Sequence, residues 1–143
     1  MTLGYQVDRT IDAPPERIWA VLTDADAVTG GGLGVLRIEG DMRRGARLKI
    51  WSEIAPDRAF PVTVTAFDAP RLMVWEGGMP LGLFKGVRRF ELAPAPGGGA
   101  RFDMTERFSG LLSGPISRTI PDLTPSFEKF ADGLKRLSEG GAG

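Results

Sequence analysis

The chain has 143 residues, 18 basic and 18 acidic side chains, no histidine and no cysteine. These counts exclude zinc sites with the usual nitrogen and sulfur ligands, Ser-His-Asp triads and Cys-His dyads, and the balanced charge argues against nucleic acid as a partner. The length and the 42% hydrophobic content predict one domain over residues 1–143, with a disordered tail from about residue 139.

No apolar run reaches the roughly 18 residues that a membrane helix needs, so we expect no membrane insertion. The first residues, "MTLGYQVDRT", do not follow a basic region with an apolar segment. We therefore expect a cytoplasmic protein.

The first elements are a strand over residues 4–12 and a short helix. "GYQVDRTID" is rich in β-branched and aromatic residues, and the prolines of "APPER" are tolerated at a helix entrance. Ile18, Val21 and Leu22 follow at helical spacing, with Trp19 beside them as a core residue. This pattern predicts a helix over about residues 14–24 that ends near "DADAVTGGGLG".

Four of the five residues from 30 to 34 are glycine. A phosphate-binding loop would continue into Lys-Ser/Thr and would open a helix, whereas this segment follows one. We interpret it as a mobile loop.

The middle of the chain predicts six strands. They are "VLRIEG", "ARLKIWSEI", "FPVTVTAFD", "RLMVWEG", "LFKGVRRFELAP" and "ARFDMTERFSG", and the links between them are rich in Gly, Pro and Asp. Because links this short join only antiparallel neighbours, the six strands form a meander. In "KIWSE" the alternation places Trp51 on the outer face and Ile50 on the inner face.

The last segment has helical spacing. Its apolar stripe comprises Ile116, Ile120, Leu123, Phe127, Phe130, Leu134 and Leu137. Pro121 and Pro125 lie inside it, so we expect either a kink or a break with Thr124 capping a restart at Pro125. The stripe keeps its phase across both prolines, which favours the kink. An amphipathic helix must bury its stripe, and one face of the sheet is the partner. Gly133 indicates a close approach of that helix to the sheet or to a cavity wall.

A polar pair interrupts the apolar face of the last hairpin. If "APAPGGGA" closes the turn near Gly97, Arg88 lies opposite Glu106 and the apolar neighbours on both strands also coincide. Two interpretations stay open: an internal ion pair with only a structural role, or a polar floor that orients a ligand hydroxyl or carbonyl.

The motifs "IDAPPERIWAVLTD", "MVWEGGMPLGLFKGVRRFEL", "GGGARFDMTERFSG" and "FEKFADGLKRLSE" resemble the START-like, Bet v 1-like (SRPBCC) superfamily, in particular its bacterial polyketide cyclase/dehydrase and lipid transport branch. The resemblance covers nearly the whole chain. It implies an α+β helix-grip fold, a curved antiparallel sheet of about seven strands wrapped around a long C-terminal helix, with a short helical segment after the first strand. It also implies a cavity for apolar or aromatic molecules, with the glycine segment over its open end.

The main hypothesis is binding of an apolar or aromatic, lipid-like or polyketide-like molecule between the sheet and the C-terminal helix, without a cofactor or metal. The candidate ligand-binding residues are Arg88, Glu106, Phe84, Phe90, Phe102, Met104, Phe108, Trp75, Phe127 and Phe130. Two alternatives remain: a cyclase or dehydratase that uses Arg88 and Glu106, and a protein-interaction module with a filled core and Trp51 at its contact face. The sequence does not decide whether the chain is an enzyme, nor its oligomeric state.

Overall fold

The structure, a computed structural model, describes residues 3–140. Seven strands and four α-helices follow one another along the chain. They are β1 (Leu3–Ile11), α1 (Pro15–Leu22), α2 (Ala25–Gly30), β2 (Val35–Glu39), β3 (Arg47–Ser52), β4 (Ala55–Asp68), β5 (Leu72–Met79), β6 (Phe84–Pro94), β7 (Ala100–Ser109), α3 (Ser113–Ser117) and α4 (Thr124–Gly140), with one 3₁₀ turn at Pro96–Gly98.

All seven strands form one antiparallel sheet in the order β1-β7-β6-β5-β4-β3-β2. The predicted meander from β2 to β7 is confirmed, and the curled sheet with α4 packed on it confirms the α+β helix-grip fold. β1 completes the sheet by pairing with β7, from Leu3 opposite Phe108 to Ile11 opposite Ala100. The first strand and the last strand of the sheet are therefore neighbours.

The β3–β4 connection differs from the prediction. The segment "APDR" was expected to separate two strands, but β4 begins at Ala55 and continues through Pro56 and Pro61. Only Ala55 and Ser52 pair next to the tight turn, and the register shifts between Ile50 and Ser52. The irregular pairing accommodates Pro56, which cannot donate to a ladder, whereas Pro61 lies in the regular register opposite Lys49.

The helical segment after β1 consists of two helices instead of one. α1 has Pro15 at its first position and buries Ile18, Trp19 and Leu22. The segment expected to be irregular after it forms α2, because the Asp24 carboxylate accepts hydrogen bonds from the backbone N–H groups of Asp26 and Ala27.

The C-terminal stripe is split between two helices, so the prediction of one kinked helix is wrong. α3 ends at Ser117 and α4 begins at Thr124, where the Asp122 carboxylate accepts the Thr124 N–H at 3.0 Å. Pro121 and Pro125 lack the N–H groups that would carry a helix across the break. Leu123, between the helices, is nevertheless buried, which is why the apolar spacing runs on through the break.

α4 packs along β1 through polar contacts at its edge. Asp132 accepts from Arg9 Nε at 2.8 Å, Lys135 Nζ donates to the Thr10 carbonyl at 2.7 Å, and Glu139 accepts from the Asp12 N–H at 2.7 Å. The helix continues to Gly140, so the expectation of disorder is wrong for residues 139–140. Residues 141–143 of the expected tail lie outside the described residues.

The glycine segment is anchored to α4, contrary to its interpretation as a mobile loop. Leu33 is buried against Gly133, where a Cβ atom would lie 2.7 Å from Leu33 Cδ1, and Gly31 leaves space for Leu137. The Arg136 guanidinium donates to the Gly31 carbonyl. Gly133 therefore does mark a close approach, but its partner is Leu33 of this segment and not the sheet.

The core lies between the inner face of the sheet and α1, α2 and α4. Its largest fully buried side chains include Phe90, Phe102, Met104 and Leu134. Within residues 3–140, no helix combines the length and the apolar character needed to cross a membrane.

Candidate functional site

The site is centred on Arg88 and Glu106, which face each other on β6 and β7 in the predicted register. Nε of Arg88 donates to Glu106 Oε1 at 3.0 Å, and Nη2 of Arg88 lies 2.8 Å from the same carboxylate oxygen. The Glu106 side chain is 11% exposed and that of Arg88 is 25% exposed. Among residues 3–140, Glu106 Oε2 receives no hydrogen bond from the protein. Half of a nearly buried carboxylate is thus left without a protein donor.

The deeper half of the inner face, beyond Arg88, is filled by aromatic packing. Phe130 of α4 lies over Phe90 and Phe102, with ring centroids 5.9 and 6.4 Å apart, and Met104 is the register partner of Phe90. These four side chains are at most 4% exposed. These four predicted ligand-binding residues therefore form a closely packed wall of the site.

The shallower half is more open and is also lined by aromatic rings. Phe84 and Phe108 stack at 5.6 Å, and Phe84 is only partly buried. The Arg88 guanidinium lies 5.0 Å above the ring of Phe127, which holds the cation between α4 and the sheet. The ten predicted site residues are thus joined through contacts on one face.

Tyr5 is a site residue that the sequence prediction did not include. It lies opposite Glu106 across the β1–β7 ladder, and its ring packs against Phe127 at 5.8 Å and Phe108 at 6.4 Å. The alternation of Tyr5 and Val7 with polar Gln6 and Asp8 signals an inward position. The pairing of β1 with β7 joins distant parts of the sequence, however, and no local pattern reveals it.

Trp75 supplies a buried polar atom that has no hydrogen-bond partner among the described residues. It is the register partner of Arg88 on β5, and its ring packs against Phe90 at 4.8 Å. The residue is 5% exposed, and its indole Nε1 is buried with no acceptor within the described part of the chain. A buried N–H without a partner is uncommon, since it carries the full cost of its lost hydration.

Gly86 provides space beside the carboxylate. A Cβ atom built there would lie 3.4 Å from the Phe108 ring and 3.6 Å from Glu106 Oε2, both ordinary contact distances. A methyl group fits at this position but fills the volume next to Oε2.

The other two tryptophans lie away from the site. Trp19 packs edge-on against Phe67 at 5.2 Å in the core, as predicted. Trp51 is half-buried beneath the Arg37 guanidinium, at 5.1 Å, whereas Leu48 and Ile50 point into the core.

A surface cleft of about 230 Å³ lies elsewhere on the sheet. It is lined by Arg71, Leu72, Arg89, Glu91, Leu92, Ala93, Pro94 and Asp103, near the opposite ends of β5, β6 and β7 from the shallow half of the site. Its lining includes the ion pair of Arg89 with Glu91, at 2.9 Å. The cleft does not include Arg88 or Glu106.

The sequence matches the model of one protein family over residues 3–139, described as polyketide cyclase / dehydrase and lipid transport. The match covers all seven strands and nearly all of α4. The comparison with curated proteins found no match.

Several solved structures have the same fold. A protein of unknown function from Staphylococcus aureus is 13% identical, with 99% of this chain and 96% of that chain covered and a TM-score of 0.75. Norcoclaurine synthase from Thalictrum flavum is similar at 13% identity, with 96% and 93% covered and a TM-score of 0.70. A point mutant of that synthase, in complex with a transition-state analogue, is 12% identical, with 100% and 98% covered and a TM-score of 0.73. At these identities the likeness establishes the fold alone.

Proposed function

Because the chain belongs to the polyketide cyclase / dehydrase and lipid transport family, we propose that it binds an apolar or aromatic small molecule between the inner face of the sheet and α4. Arg88 and Glu106 contact the polar group of that molecule, and Phe84, Phe108 and Phe127 contact its apolar body. Phe90, Phe102, Met104 and Phe130 form the wall behind it. The proposal concerns binding, and no chemical step is assigned to these residues.

The observation that carries the proposal is a buried indole N–H without an acceptor, on the strand that pairs with that of Arg88, together with a carboxylate oxygen that no group in the described part of the chain uses. Glu106 Oε2 has no donor and the Trp75 Nε1–H has no acceptor among residues 3–140. A purely structural ion pair would gain most by using both carboxylate oxygens, as bidentate Arg–carboxylate pairs do. A ligand hydroxyl can donate to Oε2, and a carbonyl or hydroxyl oxygen can accept from the indole.

The fold gives independent support. Norcoclaurine synthase, which shares it, has been solved with a transition-state analogue. Sites of this type are mostly apolar and contain a few convergent polar groups that fix the ligand's orientation. The aromatic lining and the single charged pair of this chain fit that description.

The first test is native mass spectrometry of the protein purified under mild conditions, followed by extraction and identification of any co-purifying molecule. Titration with an apolar fluorescent probe and with aromatic polyketides then measures binding directly. We expect saturable binding of at least one apolar ligand. An absence of saturable binding at every accessible concentration would contradict the proposal.

Two substitutions separate ligand contact from structural support. Glu106→Gln keeps the shape of the side chain but removes its charge, and we expect about a tenfold loss of affinity for a ligand that donates a hydrogen bond. Gly86→Ala fills the space beside Oε2 at ordinary contact distances, so we expect weaker binding with stability unchanged or increased.

Gly30→Ala is the matched control, since a Cβ atom there meets nothing within 4 Å. We expect it to leave binding unchanged. If Gly86→Ala and Gly30→Ala bind ligand equally well, the ligand does not occupy the space beside Glu106.

A further inference from the structure

The largest exposed apolar side chains cluster at one end of the molecule. They are Leu36, Ile54, Phe60, Met79, Leu81, Leu111 and Leu112. All seven lie toward the end of the sheet where β2, β4 and β6 begin and where β3, β5 and β7 end. The shallow end of the proposed ligand site, at Phe84 and Phe108, which we term its mouth, lies toward the same end.

Four of these residues form a surface that we term the apolar tip: Met79, Leu81, Leu111 and Leu112. Leu81 is 91% exposed and Leu111 is 81% exposed. The loops that carry them are joined by backbone hydrogen bonds, from the Leu111 N–H to the Gly82 carbonyl at 3.1 Å and from the Leu112 N–H to the Leu83 carbonyl at 2.7 Å. These backbone hydrogen bonds between the two loops therefore hold the leucines in fixed positions at the surface.

Leu81 also has a positive φ of 63°, and it is the only residue other than glycine with a positive φ in the part of the chain that the structure describes. This conformation is costly for a residue with a branched apolar side chain, and burial does not compensate it because the side chain is in water. Local strain of this kind is concentrated at functional positions. Leu81 lies in the turn that the Leu83 N–H closes onto the Pro80 carbonyl at 3.3 Å, so the turn holds this exposed leucine at the surface.

The charges around the apolar tip indicate which kind of partner it fits. Residues 76–90 and 106–122, which carry the tip, contain five basic and three acidic side chains, an excess of two positive charges, although the whole chain is neutral. Within residues 3–140, Arg107 and Arg118 make no ion pair.

Of the carboxylates near this end, Glu53, Glu76 and Glu106 are ion-paired, whereas Asp57 and Asp122 make no ion pair within residues 3–140. Glu76 contacts Lys85 at 3.0 Å, and this hydrogen bond lowers the pKa of Glu76. Glu53 contacts Lys129 at 2.7 Å. Exposed leucines flanked by uncompensated arginines match a bilayer, whose interior accepts apolar groups and whose anionic headgroups attract basic ones.

We propose that the apolar tip docks this protein peripherally onto an anionic lipid bilayer, with Leu81 and Leu111 entering the headgroup boundary and with Arg107 and Arg118 facing anionic headgroups. The contact is distinct from ligand binding and does not depend on it. It also revises the expectation from composition, because a net charge of zero conceals a local excess of positive charge. Such docking would bring the mouth of the site to the bilayer surface.

The test is co-sedimentation of the full chain with vesicles of phosphatidylcholine alone and of phosphatidylcholine mixed with phosphatidylglycerol, at low and high salt. We expect binding to the anionic vesicles that weakens as salt is raised. The double variant Leu81→Gly, Leu111→Ser should bind at least about tenfold more weakly. Its thermal midpoint should not fall, since glycine relieves the strained backbone at position 81.

Two double variants with equal loss of charge test the orientation. Arg107→Gln, Arg118→Gln should weaken vesicle binding at least about tenfold, since each arginine near the surface contributes about a factor of five. Arg43→Gln, Arg44→Gln removes two exposed arginines from the β2–β3 loop, at the opposite end of the sheet. That control should bind within about twofold of the wild type.

Three results would overturn the proposal. The first is no binding to anionic vesicles at low salt. The second is an equal effect of the two arginine variants, which would mean non-specific attraction. The third is a dimer, measured by light scattering, that the leucine variant abolishes, because the apolar tip would then be a contact between copies of this chain. None of these results affects the ligand titration, so the docking proposal can be wrong while the proposed ligand binding is right, and the reverse.

Discussion

Arg88 and Arg89 are consecutive residues of β6 with opposite surroundings. Arg88 points inward and pairs with Glu106, which is nearly buried, whereas Arg89 points outward and pairs with Glu91, where both side chains are about half exposed. The two ion pairs have nearly the same length, 2.8 and 2.9 Å. What distinguishes them is access to water.

This difference predicts unequal effects of two matched substitutions. Arg88→Ala leaves the Glu106 carboxylate nearly buried without its partner, so we expect a loss of about 2 kcal/mol in the free energy of unfolding. Arg89→Ala exposes Glu91 to water and should cost about 0.5 kcal/mol or less. Urea denaturation of both variants measures the difference. Equal losses would mean that water screens the inner pair as fully as the outer one.

The opposition of Arg88 and Glu106 could be predicted from the sequence for a simple physical reason. A short hairpin loop fixes the register, and the correct register is the one that aligns two apolar rows and the single polar residue in each. The prediction of Arg88 opposite Glu106 and Phe90 opposite Met104 is confirmed. Neither the double contact of Arg88 with Oε1 nor the unsatisfied Trp75 Nε1 follows from register, since both depend on side-chain rotamers.

At the scale of the secondary structure elements, α4 is held against β1 partly by a carboxylate near its end. Glu139 Oε2 accepts from the Asp12 N–H and from Lys135 Nζ, each at 2.7 Å. Both hydrogen bonds lower the pKa of Glu139 from its ordinary value of 4.5, and the bond from the Asp12 N–H has the larger effect. In acid the unfolded chain therefore binds a proton at this group before the folded chain does.

The sign of the pH effect follows from linkage. The stability that Glu139 contributes is present above about pH 4.5 and is lost as the pH falls through its folded value. We expect Glu139→Gln to be less stable than the wild type at pH 7, with a difference that shrinks in acid. Urea denaturation over this range measures it, with Glu128→Gln on the same helix as the control. A constant difference at all pH values would show that the Glu139 charge is not involved.

The helices show where periodicity misleads. The apolar spacing from Ile116 to Leu137 predicts one helix, but it records only which side chains are buried. Leu123 is buried from a non-helical position, so the spacing continues although the helix does not. The sequence does contain a signal for the start of α2, because Asp24 is a typical N-cap residue and its side chain caps the helix. The glycines that follow favour a loop instead, so the sequence prediction misses this signal.

At the scale of the whole molecule, the absence of histidine and cysteine has a measurable effect. Carboxyl groups ordinarily titrate near pH 4, and tyrosine and lysine near pH 10, so no side-chain type in this sequence ordinarily titrates between about pH 6 and 8.5. We expect the free energy of unfolding to vary by less than about 0.5 kcal/mol over that range.

Chemical denaturation at several pH values tests this expectation. A larger change would reveal a carboxyl or lysine group with a strongly displaced pKa, which is the property of a general acid or base. That result would favour the cyclase or dehydratase alternative over simple binding. A flat profile is the outcome expected of a binding protein.

The placement of β1 beside β7 affects how the protein is made. Leu3 pairs with Phe108, so the first strand leaves the ribosome roughly a hundred residues before its partner. At about 5–20 residues per second, that delay is roughly 5 to 20 s. Throughout it, β1 presents a strand edge and the inward-facing side chains of Tyr5, Val7 and Ile11 to the cell. We therefore expect β1 to be the segment most open to chaperones and to aggregation until β7 has been synthesised, and the segment through which two copies would exchange strands.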